Sequence, residues 1–135
     1  MSRLYLIPSD LGSPDCMDPR LVETITPIEY LIVERLRTAR RFLRKIGDKR
    51  NFDEDIRWLE LDKHNPNVKH IRKTLQEAKS KSQDVGVLSE AGNPCIADPG
   101  SVIVSIAHDL NFEIQPLVGP SSILLALTGS GLSGQ

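Results

Sequence analysis

The residues best placed to do chemistry fall in three short stretches. Between Asp84 and Gly100 the chain reads DVGVLSEAGNPCIADPG. Val85 to Leu88 is a short apolar run. Ser89-Glu90-Ala91-Gly92-Asn93-Pro94 then strings small and turn-forming residues together, and Asp98-Pro99-Gly100 closes the stretch before another apolar segment. A buried strand ending in a Gly/Pro loop, with a helix beyond, is how open α/β sheets build ligand sites. Small residues let a ligand approach the backbone closely, so the loop's amides and carbonyls become the binding groups. Two further stretches have the same form: Ser9-Asp10-Leu11-Gly12-Ser13-Pro14-Asp15 after the apolar Leu4 to Ile7, and Gly119-Pro120-Ser121-Ser122 after Phe112 to Val118. In a parallel sheet all three lie along one edge.

What these loops lack narrows their chemistry. Only Gly12 stands in the first loop, so there is no dinucleotide-binding fingerprint. His64, His70 and His108 are not spaced at i, i+4 and do not adjoin a cysteine, which argues against zinc. Cys16 and Cys95 are far apart and read as reduced thiols of a cytosolic protein, Cys95 as a small buried group. Ser121 and Ser122 follow a Gly-Pro turn and not a nucleophile elbow; they suit a helix cap, a ligand contact, or both. With no acid–base or metal cluster in view, the site is expected to bind and position more than to move protons.

The elements that must hold these loops follow from the apolar pattern. Leu4–Ile7, Tyr30–Glu34, Ile56–Leu61, Val85–Leu88 and Phe112–Val118 read as strands, the third as an edge. Asp18-Pro19 suits the start of a short helix reaching Thr24. Arg35–Ile46 reads as a helix with Leu36, Ala39, Phe42, Leu43 and Ile46 inward and Arg37, Arg40, Arg41, Arg44 and Lys45 outward. That basic face is either a solvated surface or a contact for phosphate or RNA. Asn65-Pro66 opens a helix to Lys81 whose stripe is Val68, Ile71, Leu75 and Ala78. Ser101–Leu110 is the next helix, and Ile123–Leu127 begins a last one that Gly129 and Gly131 end. Asp48–Asp55 reads as a charged, mobile connection, and Trp58 as a packing residue. The alternation predicts an α/β fold: a mainly parallel five-stranded sheet with helices on both faces.

The totals agree. A chain of 135 residues suits one α/β domain with a real core. A net charge of −1 demands neither nucleic acid nor membrane as a global partner. No apolar run approaches the roughly 20 residues of a membrane span, and the apolar N-terminus is too short for a signal peptide.

Motif by motif, the chain resembles the tetrapyrrole methylase family. VLSEAGNPCIADPG and the later PLVGPSSILLALTGSGL are similar to the S-D-A-G-T-P-x-x-x-D-P-G and P-L-P-G-P-x-A segments of its ribosomal RNA small subunit methyltransferase I branch. LYLIPSDLG looks like that branch's L-Y-x-V-x-T-P-I-G-N opening, and VERLRT like its A-E-D-T-R. The resemblance runs nearly the whole chain in the right order. It implies the N-terminal α/β domain, residues 1–135, of a two-domain fold that binds S-adenosyl-L-methionine between its domains, the second domain being absent from this chain.

The resemblance also implies roles. Leu11 falls on the first donor contact, Ala91, Gly92 and Asn93 on the loop that holds the donor by its backbone, Ile96 on an apolar contact, and Ser121 and Ser122 on the last loop's contacts. It implies 2′-O-methylation of a cytidine in small-subunit ribosomal RNA, a homodimer, a cytoplasmic location, and neither metal nor membrane. Glu34, at the end of the second strand, is the candidate general base; its alternative is an ion pair with Arg37 or a neighbouring cation. The sequence departs from the branch at Glu90 and Asn93 in the main loop, at Arg35 after Glu34, and in a first loop thinned to Leu11-Gly12. Competing readings are a corrin or porphyrin acceptor, and a non-catalytic ligand-binding or dimerising module.

Overall fold

The computed structural model describes residues 1–9, 17–62, 64–89, 100–119 and 127–131. Five short strands run β1 (Arg3–Ile7), β2 (Tyr30–Val33), β3 (Arg57–Glu60), β4 (Val85–Leu88) and β5 (Glu113–Pro116). Between them lie α1 (Leu21–Ile25), α2 (Leu36–Lys45), α3 (Val68–Ser80) and α4 (Gly100–Asp109). The strands form one sheet in the order β3-β2-β4-β1-β5, and every pairing is parallel. The expected α/β fold is therefore present, fully parallel in its described strands.

Strand side chains alternate between the two faces. Leu4, Tyr30, Ile32, Leu59, Val85 and Val87 point into a core closed by Ile71, Leu75 and Ala78 of α3 and Ile103, Ile106 and Ala107 of α4. Ile7, Leu31, Val33 and Leu88 point the other way, against Leu21 and Ile25 of α1 and Ala39, Phe42 and Leu43 of α2. A strand buried on both faces reads as an unbroken apolar run, as β2 and β4 do.

Several boundaries differ from the periodicity, each for a local reason. The α1 helix starts at Leu21 because Asp18 forms a turn first: its carbonyl accepts from Leu21 N at 3.0 Å and its carboxylate from Arg20 N at 2.9 Å. In α3 the cap is Asn67, whose side chain accepts from His70 N at 3.1 Å. Val68 thus sits in the first turn, 47% exposed, and not on the buried stripe. Residues 127–130 are helical, so Gly129 lies within that turn, and Gly131, at φ +76°, follows it.

The Asp48–Asp55 connection is built, not loose. Asp48 is buried and pairs with Arg50 at 2.7 Å. Arg50 also donates to the Ile28 carbonyl. Arg44 donates to the carbonyls of Asp48 (2.8 Å) and Arg50 (2.9 Å), with its guanidinium 4.0 Å from the centre of the Phe52 ring. Trp58 meets Phe52 edge-on at 5.9 Å and donates its indole N–H to the Phe52 carbonyl at 2.7 Å, the packing role expected of it. Charges alternating along a loop suggest mobility only while their partners are unknown; here the partners are one another.

Candidate ligand-binding cleft

The strand order decides where a ligand can sit. The chain leaves β1 and β2 over the α1/α2 face and leaves β4 over the α3/α4 face. The connections therefore diverge on both sides of β4. Such divergence opens a crevice beyond the carboxyl ends of the strands.

Three adjacent strands, β4, β1 and β5, carry the three loops singled out in the sequence. Their ends are in register, with Ile7 opposite Leu88 and Leu6 opposite Pro116. Leu117 N donates to the Leu6 carbonyl at 3.0 Å, extending the β1–β5 ladder one residue toward the last loop. Between β1 and β4 the Ser9 hydroxyl donates to the Ser89 carbonyl at 3.1 Å, in a buried setting. Leu11, Ala91, Gly92, Asn93, Ile96, Ser121 and Ser122 themselves lie outside the described residues, as do Cys16 and Cys95. What is placed is their stems, and the stems are neighbours.

Glu34 follows the last residue of β2 at the same edge and is half-buried. It lines a narrow cleft with Val33, Leu61, Leu88, Ser89 and Ile103, with about 10 Å³ of free space. That is room for about one water. The floor is apolar, with Glu34 and Ser89 as its polar residues. On the other side of β1, Leu21, Glu23 and Thr24 of α1 and Gln115 to Val118 of β5 and its exit border a wider depression of about 460 Å³.

Two contributions have little signal in the sequence. Ser9 is visible only as a polar residue after Pro8. Proline has no N–H to donate to a ladder, and the Ser9 hydroxyl supplies a donor just beyond it. Gly86 lies mid-strand in β4, where a side-chain carbon would come within 2.7 Å of both Ile7 Cδ1 and Leu31 Cδ2. Its missing side chain is what lets β1 and β2 close over β4.

The basic face of α2 is divided. Arg40 pairs with Asp53 at 3.3 Å and approaches Phe52, and Arg44 is held as described above. The start of the helix is held by Glu60, whose carboxylate accepts from Leu36 N at 2.8 Å, an anion at a helix N-terminus. Among the described residues no group of three or more metal-ligating side chains gathers, and no helix is long and apolar enough to cross a membrane.

Comparison with known proteins fits this frame. The model of the tetrapyrrole (corrin/porphyrin) methylases matches residues 3–135. The chain belongs to the tetrapyrrole methylase family. Among named relatives, the ribosomal RNA small subunit methyltransferase I of a Synechocystis species is 28% identical over 133 residues, covering 98% of this chain and 45% of that protein. The protein of the same name from Mesorhizobium japonicum is 32% identical over 129 residues, covering 96% and 41%. Among solved structures, a uroporphyrin-III-C-methyltransferase from Thermus thermophilus superposes with a TM-score of 0.63 at 16% identity, covering 98% of this chain and 54% of that one. That likeness is one of fold. The chain spans less than half the length of these two relatives, and it matches the methylase family along nearly all of its own.

Proposed function

We propose that this chain is the donor-binding half of an S-adenosyl-L-methionine-dependent methyltransferase, acting in the complete protein on the ribose 2′-hydroxyl of a cytidine in small-subunit ribosomal RNA. The observation that carries the reading is the similarity to proteins named ribosomal RNA small subunit methyltransferase I across 96–98% of the chain. A second α/β domain following this one belongs to the proposal, as do a homodimer and a cytoplasmic location.

The described residues suit such a donor. The cleft offers an apolar floor beside the stems of the candidate loops. The adjoining loops would hold it: Leu11 from β1, Ala91, Gly92, Asn93 and Ile96 from β4, and Ser121 and Ser122 from β5. When bound, the donor supplies an already activated methyl group. The protein then has to align donor and acceptor and keep water out. Small residues in the β4 loop allow backbone groups to reach the ligand. Glu34, at the rim, accepts the proton of the ribose hydroxyl.

The test has two arms. Calorimetry with S-adenosyl-L-methionine compares residues 1–135 with the complete reading frame. Labelled methyl transfer is then assayed on unmodified small-subunit RNA and on a porphyrin precursor. Donor binding and RNA labelling by the longer protein support the proposal. Labelling of the porphyrin alone, or no donor binding by either protein, overturns it. Glu34→Gln should lower the turnover rate by about 10²-fold or more with donor affinity kept; an unchanged rate removes Glu34 from the reaction.

A further inference from the structure

From Arg35 to Lys45 the chain has six Arg and Lys residues and no Asp or Glu, although its net charge is −1. The fold sorts these cations. Arg40 and Arg44 are turned onto Asp53, Phe52 and the 48–50 backbone and serve the fold. Arg37, Arg41 and Lys45 are exposed and form no ion pair or side-chain hydrogen bond among the described residues. They recur every fourth residue, so they make one row along α2 with steps of ~6 Å.

Within the helix only Lys45 is well placed, in the last turn where the dipole favours a cation. Arg37/Arg41 and Arg41/Lys45 are like-charged i, i+4 pairs, an arrangement that destabilises an isolated helix. Arg37 also stands in the first turn, where the helix dipole disfavours a cation. A row that weakens its own helix is accounted for by an external anion. The anion is a polymer, because the charges are spread along a line outside both depressions of the surface. A membrane does not fit: among the described residues the large apolar side chains that are exposed are Met1, Val68 and Val118, and none is on α2. Surface helices that bind membranes need an apolar face to insert.

The geometry points to Arg37, Arg41 and Lys45 as a rail for the phosphate backbone of the substrate RNA. The inference rests on the RNA reading above and adds the surface that holds the strand. The row starts one turn beyond Glu34 and leads away from the cleft rim for ~12 Å. A strand tracked along it would arrive at the cleft with a ribose at Glu34. Phosphate contacts of this kind set position and not sequence.

The experiment measures the affinity of the complete protein for unmodified, transcribed small-subunit RNA between 50 and 200 mM salt. The wild type is compared with the triple variant Arg37→Gln/Arg41→Gln/Lys45→Gln. A control, Lys69→Gln/Lys73→Gln/Lys81→Gln, removes the same charge from α3 and its C-terminal cap on the other face. Three lost contacts with single-stranded RNA lower the slope of log affinity against log salt by about 2. Over that fourfold salt range the wild type should then lose ~15-fold more affinity than the rail variant. The control should keep the wild-type slope, and donor affinity should be unchanged in both variants. The rail variant should also unfold at or above the wild-type midpoint, which separates lost binding from lost folding. Equal slopes for wild type and rail variant, with RNA still bound, overturn the rail and leave the RNA reading standing. Equal losses in rail and control variants reduce the effect to net charge and also overturn the rail. A wild type that binds donor but no RNA overturns both.

Discussion

The Ser9 hydroxyl donates to the Ser89 carbonyl at 3.1 Å, joining the exits of β1 and β4 where the chain turns to opposite faces of the sheet. Both residues are buried, 4% and 7% exposed. Pro8 intervenes between Ile7 and Ser9 and cannot donate, so a side chain takes over where the ladder stops. The bond fixes the spacing of the stems from which the two main candidate loops spring. Ser9→Ala should lower stability by about 1 kcal/mol. It should weaken donor binding by more than that loss would suggest, because the loop stems would separate. Ser9→Thr keeps the hydroxyl and should restore part of both. Urea unfolding together with calorimetry checks this. A stability loss with unaltered donor affinity would make the bond a fold contact only.

Gly86 is the tightest point of the sheet. A Cβ there would lie 2.7 Å from Ile7 Cδ1 and Leu31 Cδ2. Both atoms are the ends of side chains, and both side chains are fully buried, so any shift has to be made within the packed core. Gly86→Ala should therefore cost about 1–3 kcal/mol by overpacking. Leu31→Ala alone should cost about 2–5 kcal/mol by leaving a cavity. The two together should cost less than their sum, since the added methyl fills part of the space removed. Denaturant titration of all four members of the cycle measures the coupling; simple additivity would mean that β4 shifts and never meets Leu31.

How far the sequence could be read follows from which interactions are local. Tyr30–Val33 and Val85–Leu88 are legible as strands because central parallel strands are buried on both faces and need unbroken apolar runs. The three loops are legible as neighbours because turn residues follow apolar runs at three places, and the sheet order then puts their stems side by side. Val68 is misread because a helical stripe gives no warning that the cap is at Asn67, which leaves the first turn at the surface. The Asp48–Arg50 network is invisible because its other partners, Ile28 and Phe52, come from distant elements or pack by ring geometry. The division of the α2 cations has the same cause: periodicity places all five on one face, and only Phe52 and Asp53 distinguish Arg40 and Arg44 from the rest.

Tyr30 is 1% exposed and, among the described residues, its hydroxyl has no hydrogen-bond partner. It packs in the α3/α4 core at the amino end of β2, the end of the sheet away from the cleft. A buried unsatisfied hydroxyl costs about 1–3 kcal/mol. Tyr30→Phe removes that group and keeps the ring, so it should be neutral or stabilising by up to about 1 kcal/mol. The Arg57 guanidinium, 5.7 Å from the ring centre, keeps its aromatic neighbour. A thermal unfolding scan decides: a clear drop in midpoint would show that the hydroxyl bonds to a water. Donor affinity should be unchanged, because the substitution lies at the opposite end of β2 from Glu34.

Two ion pairs of this fold should differ sharply in worth. Arg3–Glu113, at 3.3 Å, joins side chains that are about half exposed, and a solvent-screened pair of this kind contributes about 0–1 kcal/mol. Asp48–Arg50, at 2.7 Å, is 0% and 11% exposed, and Asp48 also accepts the Arg50 backbone N–H at 3.0 Å. Removing one partner of a buried pair strands the other charge and costs about 3–5 kcal/mol. Asp48→Ala should approach that range, while Glu113→Ala should stay within about 1 kcal/mol of wild type. Arg50→Lys should recover little, because one ammonium cannot reproduce a guanidinium that contacts both Asp48 carboxylate oxygens and the Ile28 carbonyl. The same network seats Arg44 over Phe52, so Asp48→Ala should also loosen the carboxyl end of α2. Amide exchange along residues 42–46 would show this as faster exchange than in wild type, with residues 71–78 of α3 much less affected. Equal acceleration in both helices would mean that the loss is global and that the 48–50 turn has no special hold on α2.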